Sequence, residues 1–271
     1  LADRLGVCAG IPTPDEAMRG LALDEPPAGW KLEAPCTVKP ATAARLAGAS
    51  ARLEIEAGSA AWLTNSAIAQ SDDGSGVITA TARATDESDT SDAGPETAIT
   101  YHPPVLALGV GCERGCPVDD LYDLVMETLA GQCLSPKAIA CVSSIDLKAD
   151  EAAVHELANR LGVPARFFDA AILEAESDRL VSPSDVVFAE TGCHGVAEGA
   201  ALATVGANGK LIVPKHKTKK STCAIALSQD DIIPENIGTA QGRLSIVGIG
   251  PGQIGWRSPE ATALIGRATD I

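Results

Sequence analysis

The sequence predicts an α/β protein, with a three-layer α/β/α domain built on a mainly parallel sheet and a smaller, irregular α+β region before it. Two observations support this class. Between residues 101 and 229, short apolar runs alternate with helical stretches, a pattern that is typical of βαβ units. Before residue 100, prolines, glycines and runs of Ser, Asp and Thr interrupt every longer pattern and favour loops and short elements.

The region before residue 100 is predicted to contain few regular elements. Five prolines interrupt residues 11–39, so this stretch is expected to be extended or looped. Residues 41–48 predict a short helix and residues 51–56 a strand, followed by an apolar turn around Trp62. Alternating apolar residues near Val77 predict one hairpin and then a linker.

The α/β region alternates regularly between strands and helices. Strands are predicted at 105–110, 137–143, 165–168, 186–189, 211–213 and 223–227, and helices at 118–130, 146–162, 170–177 and 196–205. Asp146 is expected to be the N-cap of the second helix, and Gly162 is expected to end that helix.

The chain is predicted to have four parts. These are a segment at 1–100, the α/β domain at 101–229, a linker at 230–241 and a truncated further domain at 242–271. The last part has one apolar strand in 243–250, a glycine-rich turn and one helix, too little to bury its own apolar faces. Because residues 1–6 are typical of a helix end and no Met begins the chain, we expect a fragment of a longer protein.

Charge and composition narrow the function classes. The chain has 21 Lys and Arg against 36 Asp and Glu, a formal net charge of −15, which argues against a nucleic-acid binder. The sequence has no apolar run of about 20 residues and no signal peptide, so we predict a cytoplasmic protein without membrane contact. Eight dispersed cysteines are expected to be mostly reduced core thiols, and the spacing of Cys112 and Cys116 does not fit a metal site.

A glycine-rich turn is the first candidate binding feature. Gly109, Gly111 and Gly115 are expected at a strand-to-helix turn, where backbone amides can hold an anion. Arg114 favours a carboxylate or phosphate ligand there. A tight turn without a ligand is the alternative interpretation, and nucleotide binding is disfavoured because the glycine spacing departs from the dinucleotide fingerprint.

Candidate catalytic groups follow later elements of the same domain. Ser144, Asp146 and Lys148 are predicted to follow the second strand and to face the glycine-rich turn. Glu198 lies in the first turn of a later predicted helix. Helix capping by Asp146 and a favourable helix-dipole contact by Glu198 are the structural alternatives to catalysis.

A local reversal of charge is the second candidate binding feature. Five of the 21 basic residues fall within eleven positions: Lys210, Lys215, Lys217, Lys219 and Lys220. Such a patch attracts anionic ligands, and its position between two predicted strands favours a polyanionic small molecule over nucleic acid. A solvated hairpin turn is the alternative.

Several motifs resemble, in their order and spacing, the CbiG C-terminal/CobE family of cobalamin biosynthesis. The similar runs are GVGCERG at 109–115, SIDLKADE at 144–151, ELANRLGVP at 156–164, GVAEGAAL at 195–202 and VPKHKTKKSTCAIA at 213–226. Residues 20–32 and 50–63 are similar to the middle region of CbiG. Residues 243–271 resemble the start of tetrapyrrole methyltransferases, particularly precorrin-3B C17-methyltransferase, which suggests a fusion.

The resemblance implies an activity and a substrate class. CbiG opens the δ-lactone of cobalt-precorrin-5A and releases a two-carbon fragment as acetaldehyde. An anionic tetrapyrrole is then the expected ligand, and other cobalamin-pathway enzymes are the expected partners. The expected catalytic residues are Ser144, Asp146 and Glu198. The expected substrate-binding residues are Gly109, Gly111, Cys112, Arg114, Gly115, Lys148, Lys215, Lys217 and Thr222.

Three functions remain open from the sequence. The first is a corrinoid-pathway protein of CbiG/CobE type that hydrolyses or binds an intermediate. The second is methyl transfer from S-adenosylmethionine, which would need the complete fused domain, so no cofactor is expected in this chain. The third is a carrier that delivers intermediates to the fused methyltransferase.

Overall fold

A computed structural model describes residues 23, 26–33, 50–66, 70–71, 76–85, 98–240, 246–249 and 257–267. The chain divides into two compact units, one at 1–240 and a second at 241–271. The helix predicted at 41–48 lies outside the described residues. Of the strand predicted at 243–250, only residues 246–249 are described, and they are not in a strand. The methyltransferase hypothesis, which rests on residues 242–271, stays a prediction.

A four-stranded sheet forms before residue 103. Its strands are β1 (Lys31–Leu32), β2 (Ala51–Ile55), β3 (Gly76–Ala80) and β4 (Ile99–His102), in the order β1-β4-β3-β2. The strand predicted at 51–56 is confirmed. The predicted hairpin near Val77 is wrong, because β3 is an inner strand with parallel partners on both sides, β2 and β4. Trp62 lies in a short helix, α1 (Ala61–Thr64), and not in a turn.

Aromatic side chains form the core of this small sheet. Trp30, Trp62 and Tyr101 meet edge to face, with ring centroids 5.1 to 6.4 Å apart. The Tyr101 hydroxyl donates to the Leu23 carbonyl over 2.6 Å. Trp30 Nε1 donates to the Asp231 carboxylate over 2.7 Å, which ties the small sheet to the segment that follows the second sheet.

A five-stranded sheet forms the centre of the α/β region. Its strands are β5 (Leu106–Cys112), β6 (Ile139–Ile145), β7 (Ala165–Phe168), β8 (Lys210–Lys217) and β9 (Ser221–Leu227), in the order β7-β6-β5-β9-β8. Strands β5, β6 and β7 are parallel, whereas β9 pairs antiparallel with both β5 and β8. The α/β class is confirmed, and the sheet is mixed because β8 and β9 form a hairpin.

Helices cover both faces of this sheet. They are α2 (Val118–Gly131), α3 (Ala152–Leu161), α4 (Ala170–Glu174), α5 (Asp185–Thr191) and α6 (Val196–Val205), and α7 (Pro259–Arg267) belongs to the second unit. The large side chains Leu106 and Leu108 pack with α2 and α3, whereas Ala107 packs with α6 on the other face. This alternation of large and small residues along β5 produces the three layers.

The strand predicted at 186–189 is wrong, because these residues lie in α5. The Ser184 hydroxyl accepts a hydrogen bond from Val187 N at the start of this helix, and Gly192 ends it with a left-handed φ of 79°. A short apolar run has the same composition in a strand and in a helix. Here the capping residues on either side decide in favour of the helix.

The structure also changes the element that follows β6. Asp146 begins a 3-10 turn, Asp146–Lys148, and is not the N-cap of α3, which starts at Ala152. Strand β6 begins and ends two residues later than predicted, so Ser144 lies inside it. The predicted end of α3 at Gly162 is confirmed, with a φ of 63°.

Candidate functional site

The loops at the carboxyl end of the five-stranded sheet come together in one place. We call this place the carboxyl edge and define it as residues 113–117 after β5, residues 146–151 after β6, and residues 217–220 at the end of β8 and in the β8–β9 turn. Glu113 N donates to the Lys220 carbonyl over 2.8 Å, which joins the first loop to the turn. Ligands of open α/β sheets bind outside the carboxyl ends of the strands, so this edge is the place to look for a site.

Arg114 links two loops of the carboxyl edge. Its guanidinium donates to Asp150 Oδ1 over 2.5 Å and to the Leu147 carbonyl over 2.6 Å. The side chains of Arg114 and Asp150 are 59% and 75% exposed. The hydrogen bond from Arg114 lowers the pKa of Asp150 below its usual value. Arg114 is therefore accessible to an anion, but the Asp150 carboxylate already accepts a hydrogen bond from its guanidinium.

The third glycine of the predicted anion-binding turn also has an internal partner. Gly115 has a φ of 70°, and a Cβ there would meet no heavy atom within 4 Å. Its N–H donates to both oxygens of Glu151, at 3.1 and 3.3 Å. Glu151 is 6% exposed and precedes α3 in the N-cap position without capping that helix. Sequence analysis missed this contact. A Glu directly before a helix could have indicated it, because Glu is not a preferred N-cap residue and its carboxylate then bonds elsewhere.

Gly109 and Gly111 lie within strand β5 and not in the turn where they were predicted. A Cβ on Gly109 would lie 1.9 Å from the Ala197 carbonyl oxygen, so the absent side chain lets α6 pack directly on the sheet. A Cβ on Gly111 would lie 2.8 Å from Thr222 Oγ1, whose hydroxyl donates to the Gly111 carbonyl over 3.2 Å. The geometry gives both glycines a packing role, and their predicted part in substrate binding remains a prediction.

Cys112 is the last residue of β5 and is half-buried, and Cys116 in the following loop is buried. Burial, together with the nearby Glu151 carboxylate, raises the pKa of Cys112 to about 11. Burial also raises the pKa of Cys116. Both thiols are free. A thiol with a raised pKa is a poor nucleophile near neutral pH, so this environment does not favour thiolate chemistry.

The predicted catalytic residues Ser144 and Asp146 differ in accessibility. Ser144 is 0% exposed, and its hydroxyl donates to the Val110 carbonyl over 2.8 Å, which joins β6 to β5. Asp146 is exposed at the carboxyl edge. Lys148 is half-buried in the same turn, where its charge acts on Cys112 and Asp150. Of this group, Asp146 offers an accessible base.

Glu198 is a buried carboxylate that holds two segments together. It is 1% exposed, and its oxygens accept hydrogen bonds from the backbone N–H groups of Val181, Ser182 and Lys215 over 2.8 to 3.0 Å. Lys215 Nζ in turn donates to the Ser182 carbonyl over 2.9 Å. Glu198 and Lys215 thus fix the loop before α5 against strand β8. This loop was not predicted to contact the lysine patch.

An exposed apolar segment lies beside this connection. Val181, Val186 and Phe188 are 62%, 70% and 43% exposed. The Phe188 ring stacks on His194, with centroids 4.4 Å apart and planes at 25°. His194 Nδ1 lies 2.8 Å from Glu174 Oε1, which fixes the imidazole of this stacked pair. Sequence analysis missed the pair because the segment was predicted to be a strand.

The lysine patch is divided by the fold. Lys215 is held internally as described above, whereas Lys217, Lys219 and Lys220 are exposed at the end of the β8–β9 hairpin. Lys210 lies at the other end of β8, opposite Leu227. The lysines next to the turn therefore belong to the carboxyl edge, and Lys210 does not.

A cavity of about 470 Å³ lies at the amino end of strand β5, on the other side of the sheet from the carboxyl edge. Thr81, Arg83, Gln132 and Leu227 are among its lining residues. Leu227 pairs with Leu106 at the amino end of β5, which places the cavity away from Arg114. The carboxyl edge is therefore an open surface of loops, and the predicted binding residues do not line this cavity.

Comparisons with known proteins identify the family. Residues 106–226 match the family model described as Cobalamin synthesis G C-terminus. The protein CobE of Sinorhizobium sp is 47% identical over 121 residues, a match that spans 45% of this chain and 79% of that protein. The chain belongs to the CbiG/CobE family of cobalamin biosynthesis. The family resemblance predicted from the motifs is confirmed.

Two further members of the CbiG/CobE family are similar to this chain. Cobalt-precorrin-5A hydrolase of Priestia megaterium is 35% identical over 132 residues, which covers 49% of this chain but 34% of that enzyme. The crystal structure of CobE, a protein from the cobalamin (vitamin B12) biosynthetic pathway, shares 37% identity with a TM-score of 0.44, over 45% of this chain and 89% of that one. No helix in the described part of the chain is long and apolar enough to cross a membrane.

Proposed function

We propose that this CbiG/CobE family member binds an anionic tetrapyrrole of the cobalamin pathway at the carboxyl edge. The main support is the hydrogen bond between Glu113 N and the Lys220 carbonyl, because it brings the Arg114 loop and the lysine turn together. In a chain with a net charge of −15, this surface combines an exposed guanidinium with exposed ammonium groups. Arg and Lys are the side chains that bind carboxylates best, and corrin precursors have many carboxylates at their periphery.

The apolar segment supports the same ligand class. The face of a tetrapyrrole macrocycle is broad and mostly apolar, and its carboxylates are at the rim. Phe188 and His194 form a stacked pair, and Val186 is exposed on the same short helix. The hydrogen bond from Lys215 to Ser182 fixes this segment beside strand β8. A ligand with an apolar face and an anionic rim would use both kinds of surface.

For the reaction we propose opening of the δ-lactone of cobalt-precorrin-5A, with release of the two-carbon fragment as acetaldehyde. Water adds to the lactone carbonyl carbon, the ring C–O bond breaks, and a carboxylate and a hydroxyl on the two-carbon unit result. The hydroxyl proton then leaves, the C–C bond that holds this unit to the macrocycle breaks as the aldehyde C=O forms, and the macrocycle takes up the bonding electron pair and a proton. Asp146 is the proposed general base, because it is exposed at the carboxyl edge while Ser144 and Glu198 are buried and hydrogen-bonded. This hydrolysis needs water and no cofactor.

A second candidate function is a non-catalytic carrier of corrinoid intermediates for other enzymes of the pathway. The hydrogen bonds of Ser144 and Glu198 favour the carrier, because two of the three predicted catalytic groups are bonded to the protein's own backbone. The carrier hypothesis requires the same binding surface but no turnover. The two functions therefore differ in product formation and not in affinity.

Binding and turnover are measured together to test both functions. The 271-residue chain is incubated with cobalt-precorrin-5A, and the reaction mixture is assayed for acetaldehyde. A parallel sample is passed over gel filtration, and its protein fraction is assayed for absorbance of the tetrapyrrole. Asp146→Asn is compared with Asp123→Asn, which removes the same charge from an exposed position on α2. Acetaldehyde release that Asp146→Asn abolishes and Asp123→Asn leaves intact supports the hydrolase. Co-elution without acetaldehyde supports the carrier, and the absence of co-elution contradicts both.

A further inference from the structure

A second, smaller cavity lies on the α2 and α3 side of the first unit. It has a volume of about 200 Å³, and Lys31, Lys137 and Arg160 line it together with Tyr122, Met126 and Leu161. None of its described lining residues is acidic, although acidic residues outnumber basic ones by 15 in the chain. A cavity lined by cations in an acidic protein concentrates anions.

The three cations come from separate elements. Lys31 lies on β1, Lys137 lies in the 3-10 turn before β6, and Arg160 lies in the last turn of α3. They converge only because the small sheet packs against the α/β region at this point. Lys31 Nζ donates to the Leu161 carbonyl over 3.2 Å, a contact that bridges the two regions.

Lys31 is a cation with incomplete compensation. Its hydrogen-bond acceptor is a neutral carbonyl, and in the described residues no carboxylate lies within ion-pair distance of its ammonium. Burial and the charge of Lys137 both lower the pKa of Lys31 below its usual value. Lys137 shares the Glu33 carboxylate with His102, at 3.0 and 2.7 Å. An anion in the cavity would relieve the repulsion between the two ammonium groups.

Arg160 lies next to the apolar wall of the cavity. Its guanidinium carbon lies 5.1 Å from the centre of the Tyr122 ring, and it pairs with Asp119 and Glu156. Those two carboxylates are 76% and 48% exposed and do not line the cavity. The Met126 and Leu161 side chains complete an apolar wall next to the cations.

We propose that this cavity is a binding site for a small organic anion, a phosphate or carboxylate group on a short apolar body, separate from the carboxyl edge. The anionic group lies between Lys31 and Lys137, and the apolar body contacts Tyr122 and Met126. The volume is below the roughly 300 Å³ at which sites for drug-sized ligands begin, so the ligand is small. The proposed anion site does not depend on the proposed tetrapyrrole function.

Met126 provides a local reporter for the test. The chain contains two methionines, so labelling with ¹³C-methyl methionine gives two signals, and the Met126 signal is identified by its loss in Met126→Leu. Phenyl phosphate and benzoate are titrated separately against the full chain. We expect the chemical shift of the Met126 signal to change and to reach a plateau at millimolar concentrations of the probe. Whichever probe binds more tightly identifies the phosphate or the carboxylate as the preferred group.

Charge-matched variants decide whether the cavity or the overall charge is responsible. Lys31→Gln and Lys137→Gln are each expected to weaken binding about tenfold, because each removes a charged hydrogen-bond donor to the anion. Arg52→Gln removes the same charge from the opposite edge strand of the small sheet and is expected to leave binding unchanged. A shift that does not saturate, or equal weakening by Arg52→Gln, overturns the proposal. If Lys31→Gln does not fold, Lys31→Arg, which keeps the charge, must still bind, and Lys137→Gln must bind more weakly.

Discussion

Replacing Gly109 by alanine tests whether the first glycine of the GVGCERG run serves packing or ligand binding. The added Cβ would lie 1.9 Å from the Ala197 carbonyl oxygen and 2.7 Å from Ala201 N. Both atoms belong to the backbone of α6, so no side-chain rotation relieves the clash. To reach the 3.4 Å of an ordinary contact, the helix would have to move about 1.5 Å away from β5.

The size of the effect follows from the packing of α6. Ala197, Ala200 and Ala201 are 0 to 2% exposed, so a shift of this helix disturbs the whole layer between the helix and the sheet. Overpacking a well-packed core costs about 1–3 kcal/mol, and a clash with rigid backbone belongs at the upper end. For a unit of this size, about 3 kcal/mol corresponds to a melting temperature lower by roughly 6–12 °C.

Gly131 provides the matched control. It is the last residue of α2, and a Cβ there would have no heavy atom within 4 Å. Gly131→Ala is expected to be neutral or stabilising by up to about 1 kcal/mol, since alanine is the better helix former. Both variants are followed by thermal unfolding with circular dichroism and by urea titration. If Gly109→Ala has the same melting temperature as Gly131→Ala but no longer binds a tetrapyrrole, the packing argument is wrong and the ligand interpretation is right.

Two further predictions concern charged groups. Asp150→Asn frees the Arg114 guanidinium and is expected to tighten tetrapyrrole binding about threefold, since exposed ion pairs are weak. Asp119→Asn removes the same charge from the partner of Arg160 and should have no effect, so equal tightening by both would contradict the prediction. Burial raises the pKa of Glu33, but hydrogen bonds from Lys137 and His102 outweigh burial and lower it below its ordinary 4.5. A lowered carboxylate pKa stabilises the fold above pH 4.5, and this contribution is lost as the pH falls further. Glu33→Gln should therefore flatten the acid side of a plot of unfolding free energy against pH, whereas the exposed Glu127→Gln should follow the wild type.

The elements with long apolar patterns could be predicted from the sequence. The helix predicted at 118–130 is α2 (Val118–Gly131), and its predicted apolar face, including Leu121 and Leu124, is buried. The helix predicted at 196–205 matches α6. In both cases an apolar pattern of sufficient length decides between helix and strand.

Short apolar runs gave the wrong structure because their environment decides it. Residues 186–189 have the composition of a strand but form part of α5, where Val186 is 70% exposed. Val77 and Ile78 form a short apolar run among Ser, Asp, Gly and Thr, from which a hairpin was predicted, yet they lie in an inner parallel strand. The partners that determine the structure of β3 are residues 51–55 and 99–101, which no local pattern identifies.

The candidate site could be predicted as a location but not as a set of contacts. The carboxyl edge follows from the alternation of strands and helices, and it contains Arg114, Asp146 and the lysine turn as expected. The internal partners were not predictable, because Glu198 bonds to residues 16 and 17 positions away and Arg114 to one 36 positions away. Such distances in sequence are crossed only by the tertiary fold.

These internal contacts assign different tasks to the cations of the carboxyl edge if it binds an anionic tetrapyrrole. The lysines at the β8–β9 turn are exposed, so their charge acts on a ligand that is still in solution and raises the association rate. Arg114 has to exchange Asp150 for a ligand carboxylate, so its contribution appears after the encounter, in the dissociation rate. Lys215 holds the Ser182 carbonyl and positions the apolar segment without needing to contact the ligand. Substitution of Lys217 should therefore change mainly the association rate and its salt dependence, and substitution of Arg114 mainly the dissociation rate.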